Sequence, residues 1–350
     1  RRGYLFPRRV LSCLAVERPR RQRGLEAGHQ PRQFRRRDLG DLGNLGKLAE
    51  PSAWDAFVEG TEHGSYLQLA GWARVKAANG WAARRVVAGA PGSRIGMQLL
   101  LRRPRPLPWA FGYAPRGPVA ESWTAEALAE LTAAIRAARG DLGRVSHLRI
   151  DPEIEAGGPH DLDGAVTAGL AAAGWTPAPS VQPPSSRVID LAADEEALWS
   201  DLRKKWRQYV NKARAGGVTV VELPGDPIGP FYAIYRETAA RAGFLVRVEQ
   251  AYRDVYAAFA PAGRASVLFA LGPDGTPLAS LFLVRCGRRV VEPYGGMTAA
   301  GADLRANYLL KWEAIRSSRE RGATLPSSSR FRYSGSSASS RPRKSTENVP

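Results

Sequence analysis

Asp201-Leu202-Arg203-Lys204-Lys205-Trp206-Arg207-Gln208-Tyr209-Val210-Asn211-Lys212-Ala213-Arg214, followed by Gly216-Gly217 and Val218-Thr219-Val220-Val221, is the stretch from which the fold can be read. Leu198, Leu202, Trp206, Tyr209, Val210 and Ala213 recur at helical spacing, which predicts one packed face. Arg203, Lys204, Arg207, Lys212 and Arg214 then point elsewhere. Asp194, Glu195 and Glu196 suit the positive N-terminal end of such a helix, and the glycine pair suits a left-handed stop. The β-branched run that follows reads as a strand. A solvated charged face is the simplest account of the cations, and a track for nucleic-acid phosphates is the other.

The pattern on either side of this stretch repeats. Downstream, helices are expected near 230–241 and 251–259. Strands are expected at 265–271, 277–284 and 289–294, the first two joined by the hairpin signal Gly272-Pro273-Asp274-Gly275. A last helix is expected over 304–321. Upstream, helices near 53–58 and 69–78 precede strands at 83–88, 95–102 and 109–113. A long alanine-rich helix (124–139), a strand (145–150), a helix (164–173) and a strand (186–191) follow. Helix-helix-strand-strand-strand-helix in each half predicts an α/β chain of two tandem units. The order matches the acyl-CoA N-acyltransferase (GNAT) type of fold. The expected division is a basic disordered tail at 1–47, a first unit at 48–192, a second at 193–322 and a serine-rich disordered tail at 323–350. By that template a further strand and helix should follow Arg321, so the second unit is expected to be incomplete, with an unpaired sheet edge.

Composition bounds the functional classes. With 350 residues and 44% hydrophobic content, the chain can bury two ordinary cores. Its formal charge of +18 invites a nucleic-acid reading. However, residues 1–47 hold thirteen basic against four acidic side chains, and residues 323–350 hold five against one. The body between keeps only a small positive excess. The apolar run Val10 to Val16 is too short for a membrane span and lacks a signal-peptide pattern, so the expected location is the cytoplasm. Two cysteines, Cys13 and Cys286, exclude a disulfide framework. Four scattered histidines show no metal-ligand spacing, so no metal and no cofactor are expected.

Several segments carry a family resemblance when taken in order. They are Gly64-Ser65-Tyr66-Leu67-Gln68 with Gly71-Trp72-Ala73-Arg74-Val75-Lys76 and Gly80-Trp81, then Tyr113-Ala114-Pro115-Arg116-Gly117-Pro118-Val119, and Leu148-Arg149-Ile150-Asp151-Pro152-Glu153. The basic helix with Gly217-Val218 and the late Tyr308-Leu309-Leu310-Lys311-Trp312-Glu313-Ala314-Ile315 complete the set. Together they resemble the Fem family of peptidoglycan-bridge aminoacyltransferases over about residues 50–322. The resemblance implies transfer of an amino acid from aminoacyl-tRNA to the stem-peptide amine of a cell-wall precursor. That acceptor would be UDP-MurNAc-pentapeptide or lipid II. It further implies that Lys76 and Arg247 contact the acceptor's diphosphate, and that Tyr294, in Pro293-Tyr294-Gly295-Gly296, faces the cleft. Trp72 and Tyr252 are carried as substrate-binding residues beside them, although the family's tyrosine four residues after the arginine is Ala251 here. The family's late Phe-Lys segment has no counterpart after Gly322.

The implied chemistry asks mainly for positioning, because an aminoacyl ester is already activated. No Ser/His/Asp or Cys/His constellation is visible, and none is needed. Asp151, Glu153 and Glu292 could accept a proton, but no general base is assigned. Lys204, Lys205, Arg207, Lys212 and Arg214 are inferred to track tRNA phosphates. The polybasic tails would add attraction to tRNA or to an anionic membrane surface. No DNA partner is expected. Three alternatives stay open: a coenzyme-A-dependent N-acetyltransferase, an RNA-binding module without catalysis, and an inactive truncated relative. The first would want a glycine-rich pyrophosphate turn where Tyr294-Gly295-Gly296-Met297-Thr298-Ala299 has glycines but not the spacing.

Overall fold

The computed structural model describes residues 13–16, 50–155, 157–183, 187–322 and 330–333. The first half comprises β1 (Cys13–Val16), α1 (Pro51–Gly60), a 3-10 turn (Tyr66–Gln68), α2 (Ala70–Ala77), β2 (Ala82–Ala88), β3 (Ile95–Arg102), β4 (Ala110–Ala114) and β5 (Val119–Ala120). It continues with α3 (Ala125–Ala137), α4 (Arg139–Leu142), β6 (Val145–Ile150), α5 (Ala165–Ala172) and β7 (Thr176–Pro177). The second half runs β8 (Arg187–Asp190), α6 (Glu195–Asp201), α7 (Lys204–Ala215), β9 (Thr219–Glu222), α8 (Ile228–Ala242) and α9 (Glu249–Phe259). After a 3-10 turn (Ala260–Ala262) come β10 (Ala265–Leu271), β11 (Pro277–Cys286), β12 (Arg289–Met297), α10 (Ala299–Asp303), α11 (Ala306–Gly322) and β13 (Arg330–Tyr333).

Two sheets carry the duplication. One is ordered β2-β3-β4-β6-β1-β7 with β5 beside β3, the other β9-β10-β11-β12-β13-β8. In the first, β4 and β6 form a parallel pair; in the second, β12 and β13 do. A parallel step requires a crossover, which α3 with α4 supplies in one unit and α11 in the other. Around that step, β2-β3-β4-β6-β1 matches β10-β11-β12-β13-β8 strand for strand in direction. The tandem architecture expected from the repeat is present.

Three expectations need correction. Arg187–Asp190 pairs with Arg330–Tyr333 in the second sheet, so the strand assigned to the end of the first unit opens the second. Its counterpart is Cys13–Val16, which pairs with β6 inside the tail expected to be disordered. Likewise Arg330–Tyr333, in the serine-rich tail, lies between β12 and β8, so β12 does not end the sheet as an unpaired edge. The rest of both tails lies outside the described residues. Short strands of four residues carry too little periodicity to announce themselves. Pairing on both sides is what makes them strands.

The third correction concerns the basic helix. It is two helices, broken where Leu202 and Arg203 turn extended (ψ 136° and 141°). Asp194 caps the first by accepting from the Ala197 N–H. Arg207 folds back to donate to the carbonyls of Trp199, Ser200 and Leu202, satisfying acceptors that the break exposes.

Three cores stack through the molecule. Met97, Leu99 and Leu101 of β3 pack under α3 and α5 with Leu128, Leu131 and Leu170. At the far side Leu281 and Leu283 of β11 pack on α7 and α11 with Val210, Leu310 and Trp312. Between the sheets lies a shared core in which Trp54, Leu69 and Trp72 of the first unit meet Phe231, Tyr252, Phe259 and Phe282 of the second. Period-two alternation explains β11: Phe282 and Val284 face the shared core while Leu281 and Leu283 face the core under α7 and α11. Burial on both faces explains why β3 and β11 read as nearly continuous apolar runs.

Local hydrogen bonds then set the junction. β3 pairs with β4 at Leu100–Arg102 but with β5 at Ile95–Gly96, so the strands diverge around Gln98. Gln68 fills this gap: its side chain accepts from the Gln98 N–H (2.7 Å) and donates to the Pro115 carbonyl (2.8 Å). A Cβ at Gly117 would strike that amide, at 2.7 Å. Asp55 on α1 accepts from the Ala70 N–H at the start of α2 (2.7 Å) and from Arg264 (2.9 Å). Arg264, at the start of the β10 hairpin, also grips both oxygens of Glu59 at 2.8 and 3.0 Å. One guanidinium of the second unit therefore ties down α1 and, through Asp55, the N-terminus of α2.

Arg264→Met should lower the unfolding free energy by about 2–3 kcal/mol, because it strands the mostly buried Asp55 beside Glu59. Urea denaturation of both proteins measures this, and a loss below about 0.5 kcal/mol would reduce the clamp to a surface ion pair.

Candidate functional site

Behind this junction α2 and α9 lie side by side. Gly71 permits the approach, since a Cβ there would sit 2.7 Å from the Phe259 ring, and Arg74 donates to the Ala258 carbonyl at 3.1 Å. One helical turn on from Trp72, Lys76 places its ammonium 4.8 Å from the Trp72 ring centroid and 6.0 Å from that of Trp81. From the other unit comes Arg247, in the connection between α8 and α9. Two tyrosines hold its backbone: the Tyr252 hydroxyl accepts from its N–H (3.3 Å) and the Tyr232 hydroxyl donates to its carbonyl (3.1 Å). Among the described residues no carboxylate lies within 4.0 Å of either cationic head.

The two cations feel each other. Burial, then Arg247, then Arg102 lower the Lys76 ammonium pKa to about 8. An aromatic wall surrounds them. The rings of Tyr252 and Tyr294 stand perpendicular at 5.0 Å, and Tyr66 sits 5.7 Å from Trp72. Burial pushes the Tyr66 and Tyr294 hydroxyls above the usual phenol range, with Arg247 pulling both back. The Trp72 indole N–H is buried with no acceptor among the described residues. Beyond Trp81, which Arg102 covers at 5.5 Å, an open depression of about 560 Å³ is lined by Asn79, Gly80, Arg102, Arg103, Pro104, Arg105 and Phe111. The site thus offers uncompensated positive charge from both units above aromatic faces, an arrangement suited to an anionic headgroup.

Lys76, Trp72, Arg247, Tyr252 and Tyr294 therefore gather in one place. Tyr66 and Arg102 join them and were missed, although Tyr66 stands in the first quoted motif and Arg102 at the end of an expected strand. Tyr252, adjacent in sequence to the family's tyrosine position, is buried and part of the wall. The carboxylates weighed as proton acceptors are engaged elsewhere. Asp151 accepts from the Tyr113 hydroxyl (3.0 Å), Glu153 pairs with Arg116 and Arg289, and Glu292 is held by Lys311. Cys286 is buried, which pushes its thiol far up and removes it as a nucleophile.

The cationic helix does not border this cleft. Tyr294 packs on the shared core, whereas α7 packs on α11 across the opposite face of the second sheet. Its residues also divide. Arg207 is committed to three carbonyls, and Arg214 pairs with Glu313 (2.9 Å) and covers Trp199. Lys204, Lys205 and Lys212 remain exposed. The Gly295-Gly296 pair lies inside β12, where a Cβ would meet Leu281 at one position and Thr238 at the other, each at 2.7 Å. Those glycines serve close packing and form no turn. One grouping escaped the sequence altogether: the adjacent Glu62 and His63 and the distant His160 present ligand-capable atoms within 4.8 Å of one another. No helix among the described residues is long and apolar enough to cross a membrane.

Comparison with known proteins bears on this site. A model of the FemAB family matches residues 50–271. Over 219 residues the chain is 29% identical to lipid II:glycine glycyltransferases of Staphylococcus aureus, strains MRSA252 and NCTC 8325 / PS 47; the match takes in 61% of this chain and 52% of each relative. The chain spans about half the length of the curated relatives it matches. The crystal structure of FemX superposes with a TM-score of 0.73 at 20% identity, covering 85% of this chain and 90% of that one. The two share the fold, a tandem pair of α/β units.

The depressed Lys76 pKa has a measurable sign. Unfolded, the ammonium titrates near 10.5; folded, near 8. Its contribution is therefore unfavourable below pH 8, and stability from this group rises with pH between those values. The unfolding free energy of the parent minus that of Lys76→Met should climb from about pH 8 to 10.5 in phosphate-free buffer. A flat difference would place the ammonium in water, away from Arg247.

Proposed function

The chain belongs to the FemAB family, and on that premise we propose that it is an acyltransferase of cell-wall assembly. In this reading it moves an aminoacyl group from aminoacyl-tRNA to the stem-peptide amine of a peptidoglycan precursor. The supporting observation is the convergence of Lys76 and Arg247, one from each unit, with no acidic partner within 4.0 Å among the described residues, with Trp72 under the ammonium and with the Tyr66 and Tyr294 hydroxyls within reach of the Arg247 charge. A diphosphate supplies the charge that this cleft lacks, and each charge-assisted contact contributes roughly 1.5–3 kcal/mol. The relatives' names make glycine the first donor to try.

The chemistry balances without a protein nucleophile. The neutral acceptor amine attacks the ester carbonyl, a C–N bond forms, and the C–O bond to the tRNA ribose breaks. The released ribose oxygen takes up the proton that the amine loses and leaves as a hydroxyl. Holding amine and ester in register is the protein's main contribution.

Two features refine the partners. Leu245 and Val248 flank Arg247, and both are strongly exposed, Leu245 completely. An arginine between two exposed aliphatic side chains suits the surface of an anionic membrane, which favours the lipid-linked acceptor over the nucleotide-linked one. Lys204, Lys205 and Lys212 are proposed to meet tRNA phosphates, with the aminoacyl end reaching round the second sheet to the cleft. A coenzyme-A acetyltransferase reading loses its pyrophosphate turn to β12.

Charged tRNAs should be assayed with lipid-linked and with nucleotide-linked muramyl-pentapeptide, and acetyl-CoA run in parallel. Aminoacyl transfer is expected, and Lys76→Ala should raise the acceptor KM roughly tenfold to a hundredfold with little change in donor KM. Transfer from acetyl-CoA alone, or an unchanged acceptor KM, overturns the reading. For the donor, each of Lys204, Lys205 and Lys212 changed to Ala should flatten the slope of log affinity against log salt by roughly 0.7–0.9. An unaltered slope returns these lysines to a solvated face.

A further inference from the structure

Away from the cleft, the connection after α1 meets the connection after β6 at three side chains that the proposed transfer does not use. Glu62 and His63 come from the first, His160 from the second. His160 Nε2 lies 3.2 Å from a Glu62 carboxylate oxygen, and the two imidazole rings stand edge to face with centroids 4.6 Å apart. We propose that Glu62, His63 and His160 form a site for a divalent transition-metal ion of the Zn²⁺ type.

The donor set selects the ion class. Two imidazole nitrogens and one carboxylate oxygen suit Zn²⁺, with Co²⁺ or Ni²⁺ as stand-ins, and suit Mg²⁺ and Ca²⁺ poorly. With bonds of 2.0–2.1 Å, tetrahedral ligand atoms sit roughly 3.3 Å apart. The Glu62–His160 pair already has that separation at 3.2 Å, and a His63 nitrogen lies within 4.8 Å of both. Both histidines are half-buried and Glu62 is exposed, which leaves a fourth position open to water. The nearby Arg289 is paired with Glu153, so its charge is answered there and does not stand alone against the ion.

Placement gives the site a consequence. Gly64, adjacent to His63, offers its carbonyl to Arg289 of the second unit at 2.9 Å. A metal bound by Glu62 and His63 fixes the segment through which the second unit grips the first. Binding to the folded form alone raises its stability with the logarithm of the ion concentration above the dissociation constant.

The test uses untagged, metal-stripped full-length protein titrated with ZnCl₂ against a chromophoric chelator, with Co²⁺ absorption as a second reporter. One Zn²⁺ per chain is expected, with a dissociation constant of roughly 1 µM or tighter. His160→Gln and His63→Gln should each weaken it roughly tenfold or more, and Zn²⁺ should raise the melting temperature of the parent but not of His160→Gln. The double variant His29→Gln/His147→Gln should bind as the parent does. No binding at ~0.1 mM Zn²⁺, or binding untouched by His160→Gln, overturns the proposal. If His63→Gln fails to fold, the half-exposed His160 decides alone.

Discussion

One guanidinium reaches from the second unit to both helices that open the first. Arg264 of the second unit holds Glu59 through both oxygens and Asp55 through one, and Asp55 in turn caps the first turn of α2. That chain of contacts fixes the start of α2, and further along the helix Arg74 donates to the Ala258 carbonyl of α9. Apolar packing in the shared core is permissive by comparison, because area alone tolerates sliding. With it, α2 is set in register and Lys76 arrives opposite Arg247. The structure therefore joins a fold-determining contact at one end of α2 to a binding group at the other.

That geometry makes the cleft a property of the pair of units. The lysine comes from one and the arginine from the other, and burial together with the arginine's charge loosens the lysine's hold on its proton. The aromatic wall excludes water from one side and strengthens whatever electrostatic contact is made. The cationic α7 lies across the second sheet from this wall, so the two basic regions are separate surfaces. An extended donor bridging them has to pass a sheet edge, a geometric condition on any partner that uses both.

How much of this was legible depended on range. The long apolar strands, the hairpin at Gly272–Gly275 and the main helices follow from local period and turn chemistry, and they lie where expected. Cys13–Val16 and Arg330–Tyr333 do not, because four residues become a strand only through pairing partners far from them in the chain. The break between α6 and α7 was hidden for a related reason: an amphipathic pattern continues through Leu202, and only the carbonyls satisfied by Arg207 stabilise the interruption. At the site, Lys76, Trp72, Arg247, Tyr252 and Tyr294 came from resemblance, and the fold gathers them. Tyr66 and Arg102 were in view without a reason to choose them. The Arg264 clamp and the Glu62, His63 and His160 cluster join distant residues, which no spacing rule detects.

A double-mutant cycle on acceptor affinity bears most directly on the central claim, that one anionic group is gripped from both units at once. Binding of the lipid-linked acceptor would be measured for the parent, Lys76→Ala, Arg247→Ala and the double variant. A shared diphosphate predicts strong coupling, with the double variant losing at least about 1 kcal/mol less than the two single losses combined. Additive losses within about 0.3–0.5 kcal/mol would mean that the two cations serve separate ligands, and the two-unit cleft would fail as an explanation.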